Sequence, residues 1–356
     1  MRNQLIVDLK KFRKNLGKIK KKLKARTKFL AVVKADAYGH GAVQIAKAAI
    51  HEGVDFFGVA TIDEAIELRE AGIKLPILIL TEPTDYKILH RIQYYDISLT
   101  VYSKEMIGAI NRLCKKIKKP LKVHVKVDTG MNRVGVPGAE ALEFIKSIKK
   151  NKNIIVEGLF THFSDAGNPD KSYTFNQIQI FNRVLRACEA AEINIPIKHA
   201  ANSTATLNYP QAHYDMVRVG IAMYKDILTF QAKILNVRSI NKYDCVGYSK
   251  NYKAPENMKI AVISAGYADG YSRLLSNKGT VIVHGQRCPI IGNVCMDMTM
   301  IRLPDKLKVN IGDTVTLIGK EGKQAVTAEQ IAELTKTIDY EVMCSIGKRV
   351  PRVYVG

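Results

Sequence analysis

No stretch of eighteen or more apolar residues occurs in the sequence, which excludes a membrane-spanning helix. The opening Met1-Arg2-Asn3-Gln4-Leu5 lacks the apolar run and small-residue cleavage site of a secretory signal. Six cysteines (Cys114, Cys188, Cys245, Cys288, Cys295, Cys344) form no C-x-x-C pair, which argues against a disulfide frame or a zinc site. These absences lead to the expectation of a soluble cytoplasmic protein without a bound metal. Acidic residues are scarce: 33 Asp and Glu stand against 55 Lys and Arg, a net charge of +22. Such a surplus attracts nucleic acid or acidic membrane. No aromatic residues interleave with the lysine runs Lys20-Lys21-Lys22 and Lys115-Lys116 as stacking platforms would. Between Asp8 and Lys24, Leu9, Phe12, Leu16, Ile19 and Leu23 recur at threes and fours. One apolar helical stripe follows, with the lysines on its wet side, so neither a nucleic-acid nor a membrane partner is expected.

What is present indicates two domains. A chain of 356 residues with 47% apolar content is too long for one ordinary domain and buries a real core. From Lys28 to Gly220, short apolar runs alternate with helical patterns such as Asp63 to Ala71 and Ser172 to Ala191. The runs are 29–33, 56–60, 76–80, 97–101, 123–127, 155–160, 197–201 and 216–220. Eight strand-helix repeats over about 200 residues match a closed (β/α)8 barrel, with a doubly wound open sheet as the alternative. After about Lys225 the texture changes to β-rich runs (281–283, 298–303, 314–318) broken by Gly, Pro, Asn or Asp. Only Thr327 to Thr335, opened by a Thr-Ala-Glu-Gln capping pattern, offers a clear helix there. The expected division is a barrel over 1–225 and a mainly antiparallel β domain over 226–356. Gln4 to Asp8 is strand-like and able to pair with either.

In a barrel, chemistry belongs at the C-terminal strand ends. The first strand leads into Lys34, within Ala31-Val-Val-Lys-Ala-Asp-Ala-Tyr-Gly-His-Gly41. A lysine ending a buried apolar strand is costly unless paired or neutral, and a covalent bond to a cofactor aldehyde gives it a reason to be there. Snorkelling at a strand end is the plainer alternative. The fifth strand leads into Lys126-Val-Asp-Thr-Gly-Met-Asn-Arg133 and the sixth into Thr161-His162. The seventh ends in His199-Ala-Ala-Asn-Ser203 and the eighth in Arg218-Val-Gly-Ile221. Ser203, Gly220 and Ile221 fall where barrels often hold phosphate.

These segments, in this order, resemble alanine racemases, the two-domain fold-type III enzymes that use pyridoxal 5'-phosphate (PLP). Further segments similar to that family are Glu157-Gly-Leu-Phe-Thr-His162, Gly266-Tyr-Ala-Asp-Gly-Tyr-Ser-Arg273, Val294-Cys-Met-Asp297 and Ile338-Asp-Tyr-Glu-Val342. The resemblance implies interconversion of L- and D-alanine, supplying D-alanine for peptidoglycan. Lys34 would carry the cofactor and serve one face of Cα, and Tyr267 the opposite face. Racemisation needs two such groups, one removing a proton and one returning it. An ordinary tyrosine near pKa ~10 is a poor base at neutral pH. His162 and then Arg218 would supply the positive charge that favours its phenolate. Arg218 would also face the pyridine nitrogen. Arg133 would touch the cofactor's phenolic oxygen and the substrate carboxylate, and Met296 would offer the carboxylate its backbone N–H. Tyr38, Asn202, Ser203, Gly220, Ile221 and Tyr340 complete the implied cofactor cradle. Lys126 matches a position carbamylated in many relatives; an ordinary amine paired with an acid is the other reading. The resemblance also implies a head-to-tail homodimer with composite active sites.

Three departures touch loops: Asn132 stands where many relatives have Gly, Gly247-Tyr-Ser249 inverts a common order, and Tyr224-Lys-Asp226 replaces Tyr-Gly. The alternative substrate is serine or a broader range of amino acids, against which the bulk of Tyr340 argues. A decarboxylase of the same barrel class would pair the pyridine nitrogen with a carboxylate, which Arg218 is not. A PLP carrier without turnover would lack the second domain.

Overall fold

The computed structural model describes residues 2–117 and 120–356, and the side chains of 116 and 117 lie outside the description. Of the lysine run at 115–116, Lys115 is exposed and Lys116 lies outside the described side chains. Contacts divide the chain into two compact units. One comprises Arg13–Ala37 and Ala42–Met223; the other comprises the segment up to Phe12, Tyr38–Gly41 and Tyr224–Gly356.

In chain order the strands of the first half are β1 (Gln4–Asp8), β2 (Lys28–Val32), β3 (Phe56–Val59), β4 (Ile77–Ile79), β5 (Ser98–Val101), β6 (Leu121–Asp128), the two-residue β7 (Val136–Pro137), β8 (Ile154–Phe160), β9 (Ile197–His199) and β10 (Met216–Val219). Strands β2 to β6 and β8 to β10 pair in parallel, in the order β5-β4-β3-β2-β10-β9-β8-β6. A further β5–β6 pairing, with Leu99 opposite Val123, closes the ring. This is the expected eight-stranded barrel and excludes the open sheet. Its strands read as continuous apolar runs because both faces are covered: all residues of β3, β4, β5 and β10 are buried. Two helices between strands match the expected patterns, Ile62–Glu70 and Ser172–Ala190. The first is started by a reciprocal cap between Thr61 and Glu64.

The segment after Asp8 is helical over Leu9–Lys20 and buries Phe12, Leu16 and Ile19. It stops short of Leu23, which lies beyond the helix.

The other unit holds the second sheet, with β11 (Leu228–Ile240), β12 (Met258–Ile263), β13 (Thr280–Val283), β14 (Gln286–Pro289), β15 (Thr299–Leu303), β16 (Thr314–Glu321), β17 (Gln324–Val326) and β18 (Arg352–Val355). All its pairings are antiparallel except β1 with β18. β1 lies between β11 and β18, so the strand-like Gln4–Asp8 belongs to this sheet. Burial alternates along Leu228–Ile234, as for a sheet with one face packed and one wet. The expected helix runs over Ala328–Thr335 behind its Thr327 cap. A second helix, Asp339–Cys344, follows it. The sequence reading missed it because six residues show less than two helical turns of periodicity.

Candidate active site

The barrel's inner face and rim carry a cluster of cations. Arg218 points inward from β10, 4% exposed, and is held from several sides. Its Nη2 donates to Thr161 O at 2.7 Å and Ala200 O at 2.9 Å and lies 3.3 Å from His162 Nδ1; its Nη1 lies 3.1 Å from His199 Nδ1. Phe160 lines the same wall, with its ring centroid 5.1 Å from Arg218 Cζ and 5.7 Å from Lys126 Nζ. Burial, aided by the charges of Arg133, Arg218 and Lys34, pushes the Lys126 amine down to about 8. Only Asp128 acts on it in the other direction. Burial and then Arg218, Arg133, Lys126 and Lys34 hold half-buried His162 well below its ordinary value, so it is neutral. The structure thus brings Lys34, Lys126, Arg133, His162 and Arg218 within electrostatic reach of one another.

The backbone around Lys34 is shaped by strain. Ala35, Asp36, Ala37 and Tyr38 all have φ between +51° and +55°, and Gly39 has +82°. Four consecutive non-glycine residues therefore form a left-handed turn, at about 1–2 kcal/mol each. Fixed acceptors hold part of it. Glu64 accepts the Ala35 and Ala60 N–H groups at 2.7 Å, and Asp36 Oδ1 accepts Ala42 N–H at 2.8 Å.

Arg133 is exposed and follows a turn in which Asp128 Oδ1 accepts Gly130 N–H and Asn132 N–H. Asn132 has φ of +53° and Asp226 +56°. Asn132, which stands where many relatives have glycine, and Asp226 are both residue types that tolerate the left-handed region they adopt. Ser203 Oγ accepts Gly220 N–H at 2.9 Å and Ala222 N–H at 3.4 Å, which ties the end of β9 to the end of β10. Asn202 caps the following short helix by accepting Ala205 N–H, and its amide donates to Phe163 O. Ile221 follows Gly220 in a single 3-10 turn.

In the other unit, Tyr267 and Met296 lie on adjacent segments. Tyr267 N–H donates to Cys295 O at 2.9 Å and Ala268 N–H to Met296 O at 3.0 Å. A Cβ at Gly266 would overlap the carbonyl groups of Cys295 and Met296, so glycine is required for this approach. Buried Asp269 accepts Gly266 N–H and pairs with Arg349 at 2.7 Å, and Arg349 also reaches Asp297. Tyr267 and Met296 are themselves 43% and 54% exposed. Tyr340, on the helix 339–344, has its ring 5.9 Å from that of Tyr38. Burial first, then Tyr340 and Cys344, drives the Tyr38 phenol above its ordinary range, so it stays protonated.

The sequence reading missed His124 and the roles of Glu64, Asp269 and Arg349. His124 had a signal: it lies two residues before Lys126 on a strand, hence on the same inward face. The Asp269–Arg349 pair had none, being 80 residues apart.

Two family models match nearly the whole chain: alanine racemase, N-terminal domain, over residues 7–227, and alanine racemase, C-terminal domain, over residues 227–354. The chain is 41% identical to alanine racemase 1 of Oceanobacillus iheyensis over 96% of its own length and 95% of that protein. Its structure is similar to that of alanine racemase from Clostridium difficile 630, with a TM-score of 0.95 and 36% identity, covering 100% of this chain and 96% of that one. It is also similar to alanine racemase from Bartonella henselae with covalently bound pyridoxal phosphate, with a TM-score of 0.90, 30% identity and full coverage of both chains. From its first strand to its last, this chain belongs to the alanine racemase family of PLP enzymes.

Proposed function

We propose that this chain interconverts L- and D-alanine with PLP held at Lys34, and that Lys34 and Tyr267 move protons at opposite faces of Cα. The observation that carries this reading is the cation-rich rim around Lys34. Lys34, Lys126, Arg133 and Arg218 crowd one neutral histidine, and a single carboxylate, Asp128, answers them electrostatically at Lys126. Such a donor set suits a ligand carrying a phosphate, a phenolic oxygen and a carboxylate. Lys34 would hold the cofactor, with Tyr38, Asn202, Ser203, Gly220, Ile221 and Tyr340 at its phosphate end. Arg133 and the Met296 backbone N–H would orient the substrate carboxylate. When bound, PLP withdraws electrons from Cα and so makes its proton removable. Lys34 and Tyr267 each accept or return that proton on their own side. Arg218 keeps its own proton and offers the ring nitrogen none, which restrains electron withdrawal to what proton transfer needs. His162 is neutral and brings no positive charge of its own, contrary to the expectation from the sequence, so the charge that favours the Tyr267 phenolate would come from Arg218 behind it. Lys126 carries a carbamate beside Arg133, for which an amine lowered to about 8 is well prepared.

In this reading the barrel unit supplies most of the PLP cradle, the second unit supplies Tyr38, Tyr340, Tyr267 and Met296, and the active form is a cytoplasmic homodimer whose product feeds peptidoglycan synthesis. Tyr340 favours alanine over serine or larger amino acids by its bulk. The test is complementation. Lys34→Ala and Tyr267→Phe proteins, each inactive in an alanine racemisation assay, are mixed under subunit exchange. Random pairing should restore about a quarter of wild-type activity, since half the dimers are mixed and each has one intact site. Confirmed exchange without recovery places both groups in one chain and overturns the shared site. Wild-type protein that racemises serine as fast as alanine overturns the substrate.

A further inference from the structure

Five polar side chains form a continuous line that starts at Ser98 and the part-buried Glu157, whose side chain is 20% exposed, and runs through the interior of the barrel unit to Arg218. Ser98 Oγ donates to Glu157 Oε2 at 2.6 Å, and His124 Nε2 lies 3.0 Å from the same oxygen. His124 Nδ1 lies 2.9 Å from His199 Nε2, and His199 Nδ1 lies 3.1 Å from Arg218 Nη1. Both imidazoles are fully buried. The edge of Phe56 meets His124, and Phe160 stacks on His199 at 4.7 Å. Polar groups so deep are costly unless every one is satisfied, and each link here is of hydrogen-bond length.

The chemistry of the two ends sets the direction of every link. A guanidinium only donates, so His199 Nδ1 accepts and the His199 proton sits on Nε2. His199 Nε2 then donates, so His124 Nδ1 accepts and the His124 proton sits on Nε2, where Glu157 accepts it. A doubly protonated His124 would instead donate from Nδ1. The His199 proton would then move to Nδ1, where it would face the guanidinium donor to donor. Two further facts agree with the directed chain. Burial, then Arg218 and His124, hold His199 well below its ordinary value, so it carries a single proton. Burial alone would raise the Glu157 carboxyl, but the hydrogen bonds from His124 and Ser98 outweigh it and keep the group ionised and accepting. Among the described residues no carboxylate contacts Arg218.

We propose that Glu157 is a positioning residue for racemisation: by accepting the His124 Nε2–H it fixes one tautomer through both imidazoles and presents an unprotonated His199 Nδ1 to Arg218. The proposal deepens, and rests on, the reading that Arg218 serves the cofactor's ring nitrogen. Without an acceptor at 157 the Arg218 end alone still favours this order and the buried His124 Nε2–H loses its partner, so the reversed order, which pushes the guanidinium off His199, gains population.

The test is nitrogen NMR of histidine-labelled holoenzyme, with His124 and His199 assigned by single asparagine substitutions. In the wild type both rings should carry their proton on Nε2 alone. Glu157→Met, which removes the acceptor, should give mixed tautomers at both rings. It should also lower kcat by roughly 10- to 100-fold, taking as a guide the cost of losing the hydrogen-bond partner that orients a metal-ligating histidine, with KM changed less than about twofold. Glu157→Gln keeps a carbonyl acceptor and should retain the wild-type tautomers, with kcat within about threefold. In a His124→Asn background the amide oxygen stands in for Nδ1, and Glu157→Met should cost nothing further. A wild-type His199 protonated on Nδ1 overturns the proposal, as do wild-type tautomers in Glu157→Met. A Glu157→Gln loss equal to that of Glu157→Met also overturns it. If Glu157→Met does not fold, the wild-type and Glu157→Gln spectra still decide. Arg218→Lys separates the two readings: unchanged racemisation there removes the role of Arg218 while leaving the tautomers to stand or fall on the spectra.

Discussion

The Lys34 region and the Tyr267 region reach their geometry by opposite means. Around Lys34, buried side chains do the placing: Arg218 is fixed by two carbonyls and two imidazoles, and Lys126 is desolvated among like charges. Around Tyr267, backbone does the placing. Two N–H groups of the 267–268 segment donate to 295 and 296 across a glycine that leaves no room for a Cβ, and Asp269 and Arg349 hold the turn. The difference is instructive about fragility. Charge changes should damage the first region with the fold intact, whereas added bulk should damage the second with its charges intact.

The largest effect should come from removing either proton carrier. Lys34→Ala and Tyr267→Phe are each expected to lower racemisation by up to about 10⁴-fold. Hydrogen exchange at Cα, followed by NMR in deuterated water, should then survive from one enantiomer in one variant and from the other enantiomer in the second. Equal residual exchange of both hands by either variant contradicts the two-sided assignment.

Next in size is Gly266→Ala. The added methyl forces the 267 and 296 segments apart, and a displacement near 1 Å at a reacting group costs about 10²-fold. Tyr267 and Met296 keep their chemical identity, so near-normal kcat/KM in this variant would show that backbone placement is not what counts there.

Lys126 offers a smaller effect, with a sign set by its lowered pKa. A carbamate forms from the neutral amine, and the neutral fraction rises as pH rises through about 8. With labelled bicarbonate, the carbamate carbon signal should therefore grow from pH 6.5 to pH 8.5 and be absent from Lys126→Ala. A signal that shrinks over this range, or persists in the variant, places the carbamate elsewhere.

The smallest effect tests the strained turn. Ala35 is exposed at φ +51°, and Ala35→Gly should stabilise the protein by about 0.5–1 kcal/mol, read as a higher urea midpoint at unchanged slope. A lower midpoint contradicts a left-handed strain at that residue.

The barrel was legible because its parallel strands, covered on both faces, are written as continuous apolar runs at regular spacing. The residues at their ends were legible for the same reason, since a run that stops at Lys34 or leads into Lys126 marks a rim position. Other features were hidden for physical reasons. Of Ala35-Asp-Ala-Tyr38 only Asp36 is a residue type enriched at positive φ, so little in the local sequence announces a left-handed turn of four residues. The partner of β1 was undetermined because a five-residue alternating strand suits either sheet. His124 and Glu157 each sit between apolar neighbours in sequence, and only the lateral pairing of β6, β8, β9 and β10 brings them together with His199 and Arg218.

By itself, then, the sequence determined the pattern of elements, the family and the kinds of group at the rim, because these rest on local periodicity and on residue identity. The tertiary structure alone decided which of those groups share a field and which proton lies on which nitrogen. Arg218 lies 19 residues from His199, His199 75 from His124, and His124 33 from Glu157. Contacts between residues so far apart, and the desolvation that gives them their strength, exist only once the barrel has closed around them.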